Sequence, residues 1–165
     1  MEEVMKKILC LLLAVMLLTV AGCTEVIDEV NDSVVDSIIP SVGGTMEGEG
    51  DLGDYHIKIV SATTAKDYEG KEVLVVTYEW TNNGDEEQMF STAFTAKAYQ
   101  NGIECTTAYF VDAVDSEKSL TNIKPGASLE VKEAYALNDN SDVEIEVTEW
   151  ISFNDDKVVK TFKFE

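Results

Sequence analysis

Two side chains of this sequence have the types needed for nucleophilic catalysis, the thiol of Cys105 and the imidazole of His56. A cysteine attacks as the thiolate, and an imidazole within hydrogen-bonding distance can supply that form. His56 is the only histidine in the chain, so a thiol-dependent enzyme would have to use this pair. Strand parity, however, places Cys105 toward the core and His56 toward solvent. We therefore expect no catalysis, and a thiol-dependent enzyme is the least favoured alternative.

Oxygen-bearing side chains in two turns are the second candidate chemistry, because calcium takes carboxylate and amide oxygens as ligands. One turn contains Asn138, Asp139, Asn140 and Asp142, and the other contains Asn154, Asp155 and Asp156. Asn and Asp also favour turns for their own hydrogen bonding, which explains both groups without a metal. The primary prediction therefore has no cofactor, and a calcium-dependent adhesion or sensing domain is kept as the alternative function.

Exposed aromatic side chains are the third candidate, since protein-binding surfaces are enriched in Tyr and Trp. Trp150 and Tyr99 have outward parity in their strands, whereas Tyr109 shares the core parity of Cys105. The pattern indicates Trp150 and Tyr99 as a candidate binding face. Core filling or a bulge explains Trp150 about as well.

The charge balance restricts the class of partner. The chain has 165 residues with 32 acidic and 12 basic side chains, a formal net charge of −20. Nucleic-acid binding depends on clustered Lys and Arg, so this balance argues against any nucleic-acid partner. It also argues against electrostatic attraction to anionic lipids or wall polymers. A hydrophobic content of 45% still indicates a globular domain with an acidic surface.

The N-terminus has the organisation of a secretory signal. Lys6 and Lys7 precede an apolar run over residues 8–20, which is shorter than the roughly 20 residues of a membrane span. We assign residues 1–22 to this signal. Met5 stands directly before the two lysines, so the native start is either Met1 or Met5.

The signal ends at Val20-Ala21-Gly22-Cys23, which resembles the lipobox of bacterial lipoproteins. The resemblance implies cleavage before Cys23, a diacylglycerol on its thiol, and anchoring at the extracytoplasmic face of the cell membrane. Cys10 would leave with the signal, so Cys105 would be the only free thiol of the mature chain. An internal disulfide is then excluded.

Residues 23–54 form the predicted tether. Residues 24–39 have apolar side chains at helical spacing, and Pro40 ends that pattern. The alternative for this stretch is a spacer that is helical only part of the time. Residues 41–54 are rich in Gly and acids, which is typical of a flexible linker. The folded domain is therefore predicted to occupy residues 55–165.

From Tyr55 the pattern changes to short alternating runs of β-branched and aromatic residues, typical of strands. Asn101-Gly102 predicts a tight type I′ hairpin that pairs Ala98 with Cys105 and opens a strand over residues 103–110. Lys124-Pro125-Gly126 predicts a type II turn. Residues 143–153 predict one long strand with a bulge at Glu149. Seven or eight strands and no helix predict an all-β, immunoglobulin-like antiparallel β-sandwich.

Three segments carry a family resemblance, namely residues 74–82, the hairpin at residues 99–102, and residues 123–128 with the Tyr-containing strand that follows. They resemble uncharacterised immunoglobulin-like domains of Gram-positive surface lipoproteins. The resemblance implies a sandwich displayed outside the cell and carries over no functional residue. The predicted function is therefore a membrane-anchored, non-enzymatic module that binds an extracellular protein or envelope ligand.

Overall fold

The computed structural model describes residues 43–164. The predicted signal, Cys23 and the predicted helix over residues 24–39 lie outside the described residues. Within the described part of the chain the elements are β1 Thr45–Glu47, β2 Glu49–Leu52, β3 Tyr55–Lys66, β4 Glu72–Asn82, α1 Phe90–Ala93, β5 Phe94–Gln100, β6 Ile103–Glu104, a 3-10 turn Lys118–Leu120, β7 Ser128–Ala136, β8 Val143–Glu149 and β9 Lys157–Phe162. Neither helical turn in this region has the length and apolarity required to cross a membrane.

The strands form two sheets, with the orders β1-β9-β8-β5-β6 and β2-β3-β4-β7. All neighbours are antiparallel except β1, which pairs in parallel with β9. After β6 the chain crosses to the second sheet, where the amide of Ala108 donates to the carbonyl of Ala134 at 2.8 Å. The second sheet thus continues from β3, β4 and β7 to residues 106–108. This order, opposite β9-β8-β5, matches an immunoglobulin-like sandwich and confirms the predicted fold class.

The core lies between the two sheets because their strands alternate inward apolar and outward polar side chains. The inward residues of β4 are all buried, namely Leu74, Val76, Tyr78 and Trp80. They belong to one cluster with Ile145 and Val147 of β8. The opposite face of β4 is also covered, because Val73 and Val75 pack in a second small cluster with Val111 and Ala134.

Both predicted turns are present. Asn101 and Gly102 have φ angles of 52° and 77°, the positive values that a type I′ turn requires. The amide of Cys105 donates to the carbonyl of Ala98 at 2.8 Å, which confirms the predicted register. At the second turn Gly126 has a φ of 80°, and the amide of Ala127 donates to the carbonyl of Lys124.

The flexible linker predicted for residues 41–54 is wrong where the structure describes it. β1 joins the first sheet, β2 joins the second, and Leu52 is fully buried in the core. An ion pair between Glu49 and Lys58 also links β2 to β3. Gly and acidic residues disfavour strands as isolated sequence, but pairing with an existing sheet edge overrides that preference.

Two predicted strands end earlier than expected. The strand predicted over residues 103–110 stops at Glu104, because the chain then leaves the first sheet for the edge of β7. The strand predicted over residues 143–153 stops at Glu149, without the predicted bulge. There the amide of Trp150 still donates to the carbonyl of Ala93, the position opposite it in the β5–β8 register, and the ladder ends because Ala93 belongs to α1. Ile151 and Phe153 are consequently exposed rather than part of the core.

Candidate functional site

Cys105 is a buried member of the main core cluster. Its Sγ lies 3.7 Å from Oε1 of Gln100 and 3.7 Å from Nδ2 of Asn138. Burial raises the pKa of the thiol, because the thiolate would lose its hydration. The neutral thiol is a poor nucleophile, so Cys105 has the properties of a core residue.

His56 lies on β3 and contacts a different set of residues. Its Nδ1 donates to Oδ1 of Asp51 on β2 at 2.7 Å, and its side chain is partly exposed. The polar partners of Cys105 come instead from β5 and from the loop before β8. The structure therefore places the imidazole and the thiol in separate hydrogen-bonded groups.

The first candidate calcium loop is organised by a buried amide. Gln100 accepts the amide of Asn138 at 2.6 Å through Oε1 and donates through Nε2 to the carbonyls of Asp139 and Ser141, both at 2.9 Å. The carboxylate of Asp139 accepts from the hydroxyl and amide of Ser141, and from Nδ2 of Asn101 at 3.1 Å. These hydrogen bonds, led by the Ser141 hydroxyl, lower the pKa of Asp139. The Asp139 carboxylate thus stabilises a turn.

The second candidate loop lies at the other end of β8. Asp156 accepts the amide of Gly44 at 2.6 Å, so its carboxylate helps to join β1 to β9. Asp142 directly precedes β8 and accepts the amide of Phe164 at 3.3 Å. Seven residues of β8, or about 20 Å, separate the two loops. Across the described chain no three His, Cys, Asp or Glu side chains are placed to hold a metal ion. Calcium binding stays a prediction.

Trp150 and Tyr99 do not form one face. Trp150 is exposed directly after β8, whereas Tyr99 is half-buried near the opposite end of the same sheet. Tyr99 pairs with Glu144, close to the beginning of β8, and Glu149 at its end pairs with Phe94. The two candidate residues are therefore separated along the strand.

The structure contains an exposed aromatic group that the sequence did not single out. We call it the aromatic tip, and it consists of Tyr68, Tyr109 and Phe110, which are 73%, 70% and 83% exposed. The rings of Tyr68 and Phe110 meet edge to face, with centroids 6.1 Å apart and planes at 89°. Tyr109 was noted at sequence level, but its core parity argued for burial. That parity does not apply, because the strand ends before it.

Local structure holds the aromatic tip in place. Tyr68 lies in the β3–β4 turn, where Asp67 accepts the amides of Glu69 and Lys71 at 2.9 and 2.8 Å. Phe110 has a φ of 58°, a left-handed conformation that is uncommon for a bulky residue. Strained residues of this kind persist only where surrounding packing imposes them, and they cluster at functional sites.

A shallow depression of about 420 Å³ adjoins the aromatic tip. Its lining comprises Glu104, Cys105, Thr106, Thr107 and Tyr109.

A half-buried acid, Glu133, faces the core from β7. The hydroxyl of Tyr135 donates to Oε2 of Glu133 at 3.0 Å and contacts the hydroxyl of Tyr78 at 2.9 Å. Burial raises the pKa of Glu133, and the hydrogen bond from Tyr135 opposes that rise. The pKa of each tyrosine is also raised, chiefly by burial. The available sequence signal was the core parity of Glu133, between Val131 and Tyr135.

These features define an immunoglobulin-like β-sandwich domain with exposed aromatic groups. The chain belongs to the family described as a domain of unknown function, DUF5067, whose model matches residues 40–149. The match includes β1 and β2, in agreement with their place in the sandwich. Among curated protein sequences none matches this chain.

Solved structures from Gram-positive bacteria share the fold. A candidate lipoprotein of Bacillus subtilis is 17% identical with a TM-score of 0.53, covering 72% of this chain and 39% of its own. A candidate lipoprotein of Staphylococcus aureus is 16% identical with a TM-score of 0.53, covering 70% and 92%. An uncharacterised β-sandwich protein of Clostridium difficile is 13% identical with a TM-score of 0.53, covering 73% and 96%. This chain thus spans about two fifths of the Bacillus protein. The predicted family resemblance is confirmed.

Proposed function

We propose that this chain is a lipoprotein anchored through Cys23 at the extracytoplasmic face of the cell membrane, and that its sandwich binds an extracellular protein or envelope ligand without catalysis. The lipobox-like residues that end at Cys23 support the anchor. The two structural neighbours described as candidate lipoproteins support it as well.

The aromatic tip carries the binding part of the proposal. Water exposure of three aromatic rings is unfavourable in a free monomer, and Tyr is enriched at the centre of binding surfaces. The left-handed backbone at Phe110 holds one ring outward at a cost in stability. The proposal rests on this observation: the backbone at Phe110 is unfavourable for folding, but it exposes the ring where a partner can bind it.

The partner is expected to present apolar groups with basic groups around them. Tyr68 is flanked by Asp67 and Glu69, and the whole chain has a formal net charge of −20. The tyrosine hydroxyl donates to Oε1 of Glu69 at 3.2 Å, so an acidic group lies next to the ring. Complementary charge on the partner would favour association and suppress acidic competitors.

The state of Cys105 supports the non-enzymatic part of the proposal. The thiol is buried, its pKa is raised, and its polar neighbours are amides rather than an imidazole. Alkylation of Cys105 is expected only after denaturation. Rapid alkylation of the folded chain would favour the thiol-dependent alternative.

Photocrosslinking on intact cells tests the binding role. A photoreactive phenylalanine analogue replaces Tyr68 in the full-length chain, and the same analogue at Leu120 is the matched control. Leu120 is 63% exposed but lies outside the aromatic tip. A reproducible adduct at position 68 that is missing at position 120 supports the proposal. Equal adducts at both positions, or none at position 68, contradict it.

Two further measurements test the anchor and the alternative. Mass spectrometry of the membrane-bound protein should show acyl chains on Cys23, and Cys23→Ala should lose membrane attachment because two acyl chains are needed for stable anchoring.

Thermal unfolding with millimolar calcium, and again after chelation, tests the calcium-dependent alternative. A clear loss of stability on chelation would favour that alternative.

A further inference from the structure

The loop between β8 and β9 exposes three large apolar side chains in four residues. We call residues 150–153 the apolar loop, in which Trp150, Ile151 and Phe153 are 59%, 69% and 100% exposed. Isolated exposed apolar residues are ordinary, but a contiguous group is unfavourable in water unless something covers it. The hydroxyl of Ser152 donates to the carbonyl of Asn154 at 2.6 Å, which closes the loop into a turn.

The preceding chain enters the sandwich directly beside the apolar loop. The amide of Gly44 donates to Oδ1 of Asp156 at 2.6 Å, and the amide of Lys157 donates to the carbonyl of Gly44 at 3.0 Å. A Cβ on Gly43 would fall 2.1 Å from the backbone of Asp155, so only glycine allows this approach. Residues 23–42, which link Cys23 to this point, could span at most about 70 Å.

The aromatic tip lies at the other end of the sandwich. The apolar loop follows the end of β8 that pairs with Phe94, and Phe94 contacts Tyr55 at the start of β3 with ring centroids 5.5 Å apart. Tyr68 lies two positions after Lys66, the last of the twelve residues of β3. At about 3.3 Å per residue, roughly 35 Å of strand separates the two ends.

Acidic residues flank the apolar loop, so its attraction to a membrane has to come from burial of its apolar side chains rather than from charge. Glu149 precedes the loop, and Asp155 and Asp156 follow it. Anionic lipid headgroups would be repelled, so electrostatic adsorption is excluded as the source of attraction. Trp is the side chain enriched at the boundary between water and hydrocarbon, where its ring is buried and its N–H remains hydrated.

We infer that the apolar loop inserts into the interface of the membrane that holds the lipid anchor, so that the sandwich stands end-on with the aromatic tip pointing away from the bilayer. The inference rests on the anchoring at Cys23 proposed above. The occupant is lipid, since the lipid-anchored chain joins the sandwich beside the loop at Gly44 and so keeps the domain close to the bilayer at high effective concentration. The loop then orients a domain that the tether alone would leave free to rotate.

Fluorescence of Trp150 tests the inference in the anchored, full-length chain. The protein is purified from membranes of a Gram-positive host and reconstituted into phosphatidylcholine vesicles. Trp80, the other tryptophan, is fully buried, so only Trp150 should respond to quenchers. We expect a blue-shifted emission, quenching by doxyl-labelled phosphatidylcholine, and loss of quenching by iodide. Trp150→Phe should remove the responsive signal.

Matched variants separate insertion from anchoring. The double variant Ile151→Ser with Phe153→Ser should still co-float with vesicles, but regain iodide quenching and lose quenching by labelled lipid. Leu120→Ser, a change at a comparably exposed position, should leave both signals unchanged. Added anionic lipid should weaken lipid quenching, because the surrounding acids are repelled.

The other possible results distinguish failure of the anchor from failure of membrane insertion. A chain that does not co-float contradicts the anchor and this inference together. A chain that co-floats while iodide still quenches Trp150 contradicts insertion alone. Shielding from iodide without quenching by labelled lipid shows that protein covers the loop, either a second copy or residues 24–39, and also overturns the inference.

Discussion

The aromatic tip and the apolar loop expose similar side chains, but they differ in the packing beneath those side chains. Beneath the tip, Val111 is buried in a cluster with Val73, Val75 and Ala134, and this packing holds the left-handed residue Phe110. The apolar loop has no such support among its own residues. It is attached through the amide of Trp150 to Ala93 and through the turn formed by Ser152.

This difference in packing fits the two proposed roles, binding of a ligand by the aromatic tip and contact of the apolar loop with lipid. A partner with a defined shape is bound best by rigid aromatic groups, because little conformational entropy is lost on binding. A lipid interface has no fixed shape, so a loop that adapts its side chains is sufficient. Packing beneath the exposed residues therefore distinguishes the end proposed to recognise a ligand from the end proposed to face the membrane.

The largest effect is expected from Phe90→Ala, which removes the aromatic core at the end that carries the apolar loop. The Phe90 ring centroid lies 5.5 Å from that of Tyr78, 6.3 Å from that of Trp80 and 5.3 Å from that of Phe94. Truncation of a buried Phe lowers the free energy of unfolding by about 3–5 kcal/mol. Urea denaturation measures the change. A loss below about 1 kcal/mol would show that this end is loosely packed inside as well as outside.

The next largest effect is expected from a pair of variants, one beneath the aromatic tip and one in the apolar loop. Val111→Ala removes two buried methyl groups under the aromatic tip and should lower the free energy of unfolding by about 2 kcal/mol. Ile151→Ala in the apolar loop should change it by less than about 0.5 kcal/mol, because the side chain is exposed. Equal losses for the two variants in urea denaturation would remove the distinction between the two ends.

Glu133→Gln tests the middle of the sandwich, between the two ends. The raised pKa means that the folded state retains a proton at pH values where the unfolded chain has released it. The contribution of Glu133 to stability is therefore complete below its ordinary pKa and is lost as pH rises through the raised value. The amide cannot ionise and still accepts from Tyr135, so it should stabilise the fold by about 1 kcal/mol at neutral pH.

Urea denaturation of both proteins from about pH 4 to about pH 8 checks the sign. The difference between variant and parent should grow with pH, which separates Glu133 from the repulsion among the other acids. Glu130→Gln, an exposed position on the same strand, is the matched control. A difference that is constant with pH would mean that Glu133 is well hydrated.

The smallest effect is expected from Phe110→Asn, which relieves the left-handed backbone at the aromatic tip. A left-handed conformation costs an ordinary residue about 1–2 kcal/mol, and Asn tolerates it better. Loss of the ring contact with Tyr68 offsets part of that gain, so we expect a net stabilisation of about 0.5 kcal/mol. Tyr109→Asn should show no gain. A clear destabilisation by Phe110→Asn would mean that the ring pair, rather than ligand binding, explains the conformation.

Residues with strong local preferences were predictable from sequence. Alternation along β4 identified Tyr78 and Trp80 as core residues, and the Asn101-Gly102 turn set the register that buries Cys105. Both signals act over a few residues, since a two-residue turn determines which side chains pair. The outward parity of Trp150 was correct for the same reason.

Where strands end depended on distant contacts. Alternation alone extended β8 to Phe153, but the last backbone hydrogen bond of the ladder joins Trp150 to Ala93, where β5 gives way to α1. β1 has little local strand preference and forms because β9 offers a free edge. The aromatic tip escaped detection because Tyr68 and Phe110 are 42 positions apart and meet only in the folded chain.

The sequence by itself determined the chemistry that is available: a lipobox-like cysteine, the thiol of Cys105, an excess of acidic side chains and strand-forming alternation. These depend on residue identity and short-range spacing. Only the tertiary structure decided which aromatic groups are exposed, which end of the sandwich receives the preceding chain, and that Cys105 and His56 have separate partners. Such properties depend on hydrogen bonds and packing between residues far apart in the chain, which local preferences do not encode.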